Sequence, residues 1–272
     1  MRVYAIQPDI VWENPSQTFQ HLRQLLADVP PTPGSLVVLP EMFSTGFSMN
    51  VDAIAQKQDR PAELFLREMA MTYQCVFLGG VANLLPSGRG VNQALAYDAS
   101  GQEIVRYSKI HPFSYGSESQ HYDGGSQVMA FAHQDWTVAP LVCYDLRFPE
   151  LFRMAAGKGA QLLVVIANWP ASRIDHWTAL LRARAIENQA YVIGANRTGN
   201  DPLLAYNGQS VIFDPKGHPL ATADDRPQII QADLGLDLLQ AYREKFPALR
   251  DMKYHWRDDG FASASTARQA NA

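Results

Sequence analysis

Three strand-like runs in this chain each end in a residue able to do chemistry. Ser35–Leu39 (SLVVL) passes through Pro40 to Glu41, Ile104–Ser108 leads to Lys109, and Thr137–Val142 (TVAPLV) runs straight into Cys143. Short apolar runs bounded by turn residues read as strands buried in a core. Leu162–Ala167 (LLVVIA) is a fourth such run. Between them lie segments of helical period. Asn14 reads as an N-cap with Pro15 at the first helical position, followed by Phe19, Leu22, Leu25 and Leu26 at helical spacing. Pro61–Tyr73 puts Phe65, Met69 and Tyr73 on one face, and Pro149–Lys158 forms a helix closing at glycine. Ile174–Gln189 reads as an amphipathic helix with Ile174, Trp177, Leu180, Leu181 and Ile186 on its apolar side, and Leu236–Lys245 as a last helix.

Further strands are expected at Met1–Gln7, Val76–Ala82, Val91–Tyr97, Val128–His133, Tyr191–Asn196, Gln209–Phe213, Leu220–Ala223 and Ile229–Ala232. This alternation, with hairpins interspersed, implies an α/β or layered α+β fold in one domain over residues 1–257. Residues 258–272 are small and polar and read as a mobile tail.

Composition narrows the functional class. Lysine and arginine number 23 against 27 aspartates and glutamates, a net charge of −4, without the basic excess of a nucleic-acid binder. No apolar stretch approaches the ~20 residues of a membrane span. The N-terminus reads as a strand and turn rather than a signal peptide. Two cysteines, Cys75 and Cys143, make neither a disulfide framework nor a four-thiolate zinc site, so a reducing cytoplasm is the expected compartment. Phosphate-binding glycine loops, H-E-x-x-H and G-x-S-x-G are all missing from the sequence.

Cys143 sits where a strand turns into a helix start, and a helix N-terminus lowers a thiol's pKa. A nucleophilic cysteine needs a base and an oxyanion donor. Glu41, desolvated at its strand end, is expected to have a raised pKa suited to a base. Lys109 is a candidate donor, and His111 offers a rival Cys–His dyad. Glu118 reads as a loop acid, Cys75 as a buried inert thiol, and Arg147 as pairing with Asp145 or Glu150 to hold its turn.

Together, Leu-Pro-Glu41, Lys109-Ile-His111 and Cys143-Tyr-Asp-Leu-Arg-Phe-Pro-Glu150 resemble the nitrilase superfamily of carbon–nitrogen hydrolases over Met1 to about Lys245. Asn168-Trp-Pro and the segment Arg182–Val192 agree with it. The resemblance implies a four-layer α-β-β-α sandwich and a catalytic triad of Glu41, Lys109 and Cys143, with Glu118 as an auxiliary glutamate. It further implies no cofactor or metal and a homodimer with an eight-layer α-β-β-α-α-β-β-α core. Within the superfamily, Glu41–Phe47, Asn168–Arg173 and Tyr242–Pro247 resemble bacterial omega-amidases, which deamidate α-ketoglutaramate and α-ketosuccinamate. On that reading the Tyr144 N–H helps bind the oxyanion, Trp169 walls the pocket and Arg173 grips the substrate carboxylate. The alternatives are another carbon–nitrogen hydrolase of the superfamily (an aliphatic amidase, a carbamoyl-amide hydrolase or a nitrilase), a non-catalytic metabolite-binding scaffold, and a thiol redox sensor built on Cys143. The Asn196-Arg-Thr198 sequon is taken as chance.

Overall fold

Successive side chains of a strand point to opposite faces, and in this chain both faces of the central strands are buried, which defines the layers. The computed structural model describes residues 1–56 and 59–252, so the expected tail at 258–272 lies outside the described residues. In chain order the first half comprises β1 (Arg2–Gln7), α1 (Pro15–Asp28), β2 (Leu36–Val38), α2 (Val51–Ile54), α3 (Pro61–Tyr73), β3 (Val76–Leu84), β4 (Gly90–Tyr97), β5 (Glu103–Ser108), α4 (Glu118–His121) and β6 (Tyr122–Asp123). The second half comprises β7 (Phe131–His133), β8 (Trp136–Val142), α5 (Pro149–Gly157), β9 (Leu162–Ile166), α6 (Ile174–Asn188) and β10 (Tyr191–Ala195). It continues with β11 (Thr198–Asn200), β12 (Ala205–Asn207), β13 (Val211–Phe213), β14 (Pro219–Thr222), β15 (Gln228–Asp233) and α7 (Leu236–Lys245).

One sheet has the strand order β15-β1-β2-β3-β4-β5, with β6 beside β4; the other has the order β14-β13-β10-β9-β8-β7. Each has a parallel trio at its centre, β1-β2-β3 in the first and β10-β9-β8 in the second, flanked by antiparallel strands. Strands buried on both faces explain the near-continuous apolar runs. Val3, Ala5, Leu36 and Val38 of the first sheet share one core with Leu162, Val164, Ile166 and Ile193 of the second. The alternate residues face outward. Tyr4, Ile6, Val37 and Phe77 pack against Leu22 and Leu26 of α1 and Phe65 and Met69 of α3. Leu163, Val165 and Val192 pack against Phe152 of α5 and Trp177 and Leu181 of α6. The result is the expected α-β-β-α sandwich.

Helix α1 starts as read, with the Asn14 side chain accepting from the Gln17 N–H and Pro15 in the first turn. Helix α6 differs from its reading. Ile186 is 46% exposed, while Arg184 and Asn188 lie on the buried face. Arg184 donates to the Leu146 carbonyl at 2.7 Å and pairs with Glu187, so a buried position tolerates the charge through its partners. Among the described residues no helix is long and apolar enough to cross a membrane.

Candidate active site

Glu41, Lys109, Cys143 and Asn168 follow directly, or after one or two residues, the carboxyl ends of β2, β5, β8 and β9. That rim of a sheet is where α/β folds gather ligand-binding groups. Glycine at position 80 brings the Glu41 turn close to β3. A Cβ on Gly80 would lie 2.5 Å from the Glu41 Cα and 2.6 Å from the Met42 nitrogen. The turn is tied down on both sides, Gly80 N–H donating to the Pro40 carbonyl and Phe43 N–H to the Gly80 carbonyl, each at 3.0 Å.

Lys109 and Glu41 are buried and meet at 2.9 Å between Nζ and Oε1. The lysine also donates to Glu118 Oε2 at 2.7 Å. Glu118 is not a loop acid; it opens α4 and is fully buried. The Phe113 N–H donates to its Oε2 at 2.6 Å. Asn92 of β4 donates to Glu41 Oε1 at 2.7 Å and to Glu118 Oε1 at 2.8 Å. The Asn168 N–H donates to Glu41 Oε2 at 2.9 Å, and its side chain donates to the Glu41 carbonyl at 2.6 Å.

These partners reverse the expectation for Glu41. Burial pushes its carboxyl up, but the Lys109 charge and hydrogen bond, the Asn168 N–H and Asn92 together hold it below the usual value. Burial likewise works against the Lys109 charge, and Glu118, Glu41 and Cys143 outweigh it, raising the ammonium's pKa. The thiol goes the other way from its expectation. Cys143 opens a short 3-10 turn (Cys143–Arg147), and α5 starts only at Pro149. Burial and the negative charge of Glu41 push its pKa well up, opposed by Lys109, and the charge of Glu118 adds to the rise. The resting pair is therefore a neutral thiol beside a carboxylate. Cys143 also has φ of +46°, a left-handed backbone that aims the side chain out of the strand line.

His111 takes no part in a dyad with the thiol. Its ring nitrogen Nδ1 and its N–H both meet Asp145 Oδ1 at 3.0 Å, and its ring stacks on Phe148 with centroids 3.6 Å apart. Asp145 is thus engaged by His111, not by Arg147. Arg147 instead lines a cleft that opens onto Cys143. Its guanidinium lies 4.9 Å from the Trp169 ring centroid and 3.3 Å from His176 Nδ1. Arg173 lines the same cleft, with its guanidinium 5.5 Å from the Phe113 ring. Neither arginine has a carboxylate partner among the described residues. Tyr144 and Trp169 also line the cleft, and Trp169 packs on Trp177 in the outer core, so it serves both purposes.

Sequence reasoning passes over Asn92, although a polar residue inside the fully buried β4 is a visible signal. It passes over Phe47, whose ring lies 5.2 Å from Lys109 Nζ, and the β11-β12 hairpin that carries Tyr206 into the cleft. Asn196 of the sequon is fully buried, holding the Trp169 N–H at 2.8 Å, and Cys75 is buried as expected.

A four-layer sandwich that gathers a buried Glu–Lys pair and a half-buried cysteine at its strand ends has the groups that thiol-dependent acyl chemistry requires. Residues 2–244 match the family model described as carbon-nitrogen hydrolase, and the chain belongs to that family. It is 39% identical to the omega-amidase YafV of Yersinia enterocolitica, over 92% of this chain and 96% of that protein. It is 32% identical to the 2-oxoglutaramate amidase of Bacillus subtilis (strain 168), over 92% of this chain and 97% of that one. The crystal structure of XC1258 from Xanthomonas campestris, a CN-hydrolase superfamily protein, superposes with a TM-score of 0.87 at 30% identity, covering 94% of this chain and 98% of its own.

Proposed function

We propose that the chain is an omega-amidase that hydrolyses the terminal amide of 2-oxo dicarboxylic acid monoamides, α-ketoglutaramate and α-ketosuccinamate, to the 2-oxo acid and ammonia. The observation that carries this reading is the cleft itself: a thiol at its base beside a Glu–Lys cluster, and two arginines in its wall without carboxylate partners among the described residues. Such a cleft suits a small substrate with an amide at one end and a carboxylate at the other. The names of the relatives support the same substrate class.

Glu41 takes the proton from Cys143 as the sulfur attacks the amide carbon. Lys109 and the Tyr144 N–H receive the developing oxyanion; preorganised donors of this kind contribute about 3–4 kcal/mol each. Glu41 then passes its proton to the amide nitrogen, ammonia leaves, and a thioester joins the acyl group to Cys143. Water, activated by Glu41 and oriented by Glu118, attacks the thioester. The tetrahedral adduct collapses, releasing the acid and returning the proton to sulfur. Arg173 and Arg147 hold the substrate carboxylate, and Trp169 walls the acyl chain. No cofactor enters this scheme.

Residues 1–257 act as one domain on this reading. The chain works as a homodimer of the kind its family resemblance implies, measurable by sedimentation velocity. Its partners are a small amide and a second copy, not nucleic acid or a membrane, and a reducing cytoplasm suits its free thiol.

The test is ammonia release from α-ketoglutaramate, with glutamine, a simple nitrile and a carbamoyl amide alongside, for wild type and Cys143→Ala. Turnover of the 2-oxo amide well above the others, abolished in the variant, is the expected result. Preference for another substrate moves the specificity within the family. Absence of Cys143-dependent release from all four rejects the omega-amidase reading.

A further inference from the structure

The cluster around Lys109 holds two carboxylates and one ammonium, all buried. A single lysine must therefore serve two glutamates, and the side chain that completes the arrangement is neutral. Asn92 Nδ2 donates to Glu41 Oε1 at 2.7 Å and to Glu118 Oε1 at 2.8 Å. Lys109 Nζ donates to Glu41 Oε1 at 2.9 Å and to Glu118 Oε2 at 2.7 Å. Two donors and two acceptors thus close a ring, Asn92 opposite Lys109.

The orientation of the amide is forced. A flipped Asn92 would aim its Oδ1 at two carboxylates, so both N–H hydrogens face them. The opposite atom, Oδ1, is buried without a hydrogen-bond partner among the described residues. Leaving a buried acceptor unmet is unfavourable, and the two charge-assisted bonds on the other side outweigh it. Asn92 also fixes the lysine's backbone, since its own carbonyl accepts the Lys109 N–H at 2.9 Å. One residue of β4 thereby sets both the root of the lysine and the separation of its two partners. It does so from outside the cleft lining.

We infer that Asn92 is a positioning residue: its amide holds Glu41 and Glu118 as a fixed pair around the Lys109 ammonium. The inference rests on Glu41 being the base of the proposed reaction. Glu41 is faced by Lys109 at the end of β5, Glu118 of α4, Cys143 at the end of β8 and the Asn168 N–H after β9, with Tyr122 of β6 within the field of both glutamates. Removing the Asn92 donor leaves every one of these in place. The proton affinity of Glu41 then rises, and the acid limb of activity moves to higher pH.

The experiment uses Asn92→Leu, which keeps volume without donors, and Asn92→Asp, which puts a third carboxyl in the ring. Each is compared with wild type by two pH profiles. One is kcat and KM for α-ketoglutaramate. The other is the rate of Cys143 alkylation by iodoacetamide, followed by peptide mass spectrometry, which separates it from Cys75. The expected result is an acid limb displaced upward by about one pH unit or more in both assays, a tenfold loss at a fixed pH on that limb. KM should stay within about twofold, because Asn92 does not line the cleft. Folding is checked by thermal melting, and Asn92→Asp alone decides if the leucine variant does not fold. Folded variants that keep the wild-type acid limb in both assays, whatever their kcat, overturn the inference. If wild type does not turn over the 2-oxo amide, the proposed substrate falls while the alkylation profile still decides the role of Asn92.

Discussion

Arg147 and Arg173 show how a charged side chain's role turns on what surrounds it. Arg147 reads from the sequence as holding its turn and Arg173 as gripping a carboxylate, yet both line the cleft over aromatic rings. Charge-assisted hydrogen bonds contribute about 1.5–3 kcal/mol, or roughly a tenfold to hundredfold change in binding. Arg173→Gln is therefore expected to raise KM for α-ketoglutaramate by about that factor, with a small effect on kcat. Arg147→Gln should do the same. Neither should change KM for an uncharged short-chain amide by more than about twofold. Equal losses on both substrates, measured by steady-state kinetics, would assign the arginines a structural role. Residue type and strand-end position mark Glu41, Lys109 and Cys143 as candidates in the linear sequence, and the resemblance of their motifs to the family joins them. Their charge states are not legible there. A strand-end carboxylate is expected to rise and a thiol at a helix start to fall. Both go the opposite way: Lys109, Asn168 and Asn92 converge on one carboxylate, and desolvation together with that carboxylate's charge raises the half-buried thiol.

Elements bring those residues within reach, and the approach of β3 to the turn after β2 shows how little slack there is. Gly80 is needed there for proximity, not for an unusual backbone angle: its missing Cβ would occupy space held by the Glu41 and Met42 backbone. Gly80→Ala should push that turn away and lower kcat by about tenfold or more, since catalytic groups must hold to about half an ångström. Overpacking of this kind also destabilises by about 1–3 kcal/mol. Steady-state kinetics and urea melts check both effects, and a variant with wild-type kcat would show that the turn yields without moving the carboxylate. Element existence is largely legible: periodicity locates α1, α3, α5, α6 and α7 and the long strands within a few residues. The short pieces are not, among them α2, α4, β6 and the β11-β12 hairpin, which have too few residues to show a period. In α6 the apolar reading misassigns Ile186, because Arg184 and Asn188 find buried partners supplied by other segments and by their own turn.

Across the whole molecule, the site exists only because two sheets are held in register at one end. Asp145 is a link between them. Its Oδ2 accepts from Tyr107 of β5 at 2.7 Å and from the Val142 N–H of β8 at 3.1 Å, while its Oδ1 takes the His111 contacts. Tyr107 and His111 flank Lys109 by two positions on either side, and Val142 stands beside Cys143, so one buried carboxylate joins the lysine strand to the cysteine strand. Asp145→Asn keeps the shape and cannot accept the full set of bonds. Its expected outcome is a kcat lower by about a hundredfold, with KM little changed and stability down by about 1–3 kcal/mol. A variant with normal kcat but a lowered melting temperature would limit Asp145 to holding the fold. Strand and helix periods and the buried runs depend on neighbours a few residues apart, so the linear chain suffices for an α/β or layered α+β class, while the four layers and the chemistry come from the family resemblance of its motifs. Contacts such as Glu41 with Lys109, 68 positions apart, form only when β2 and β5 join one sheet, and Glu41 with Asn168, 127 apart, only after the two sheets stack. Tertiary assembly is therefore what makes His111 serve Asp145, buries Glu118, turns Arg147 to the cleft and gives each pKa its direction. The physical reason is that packing preference is carried by local pattern, whereas electrostatic state is set by distance and desolvation in three dimensions.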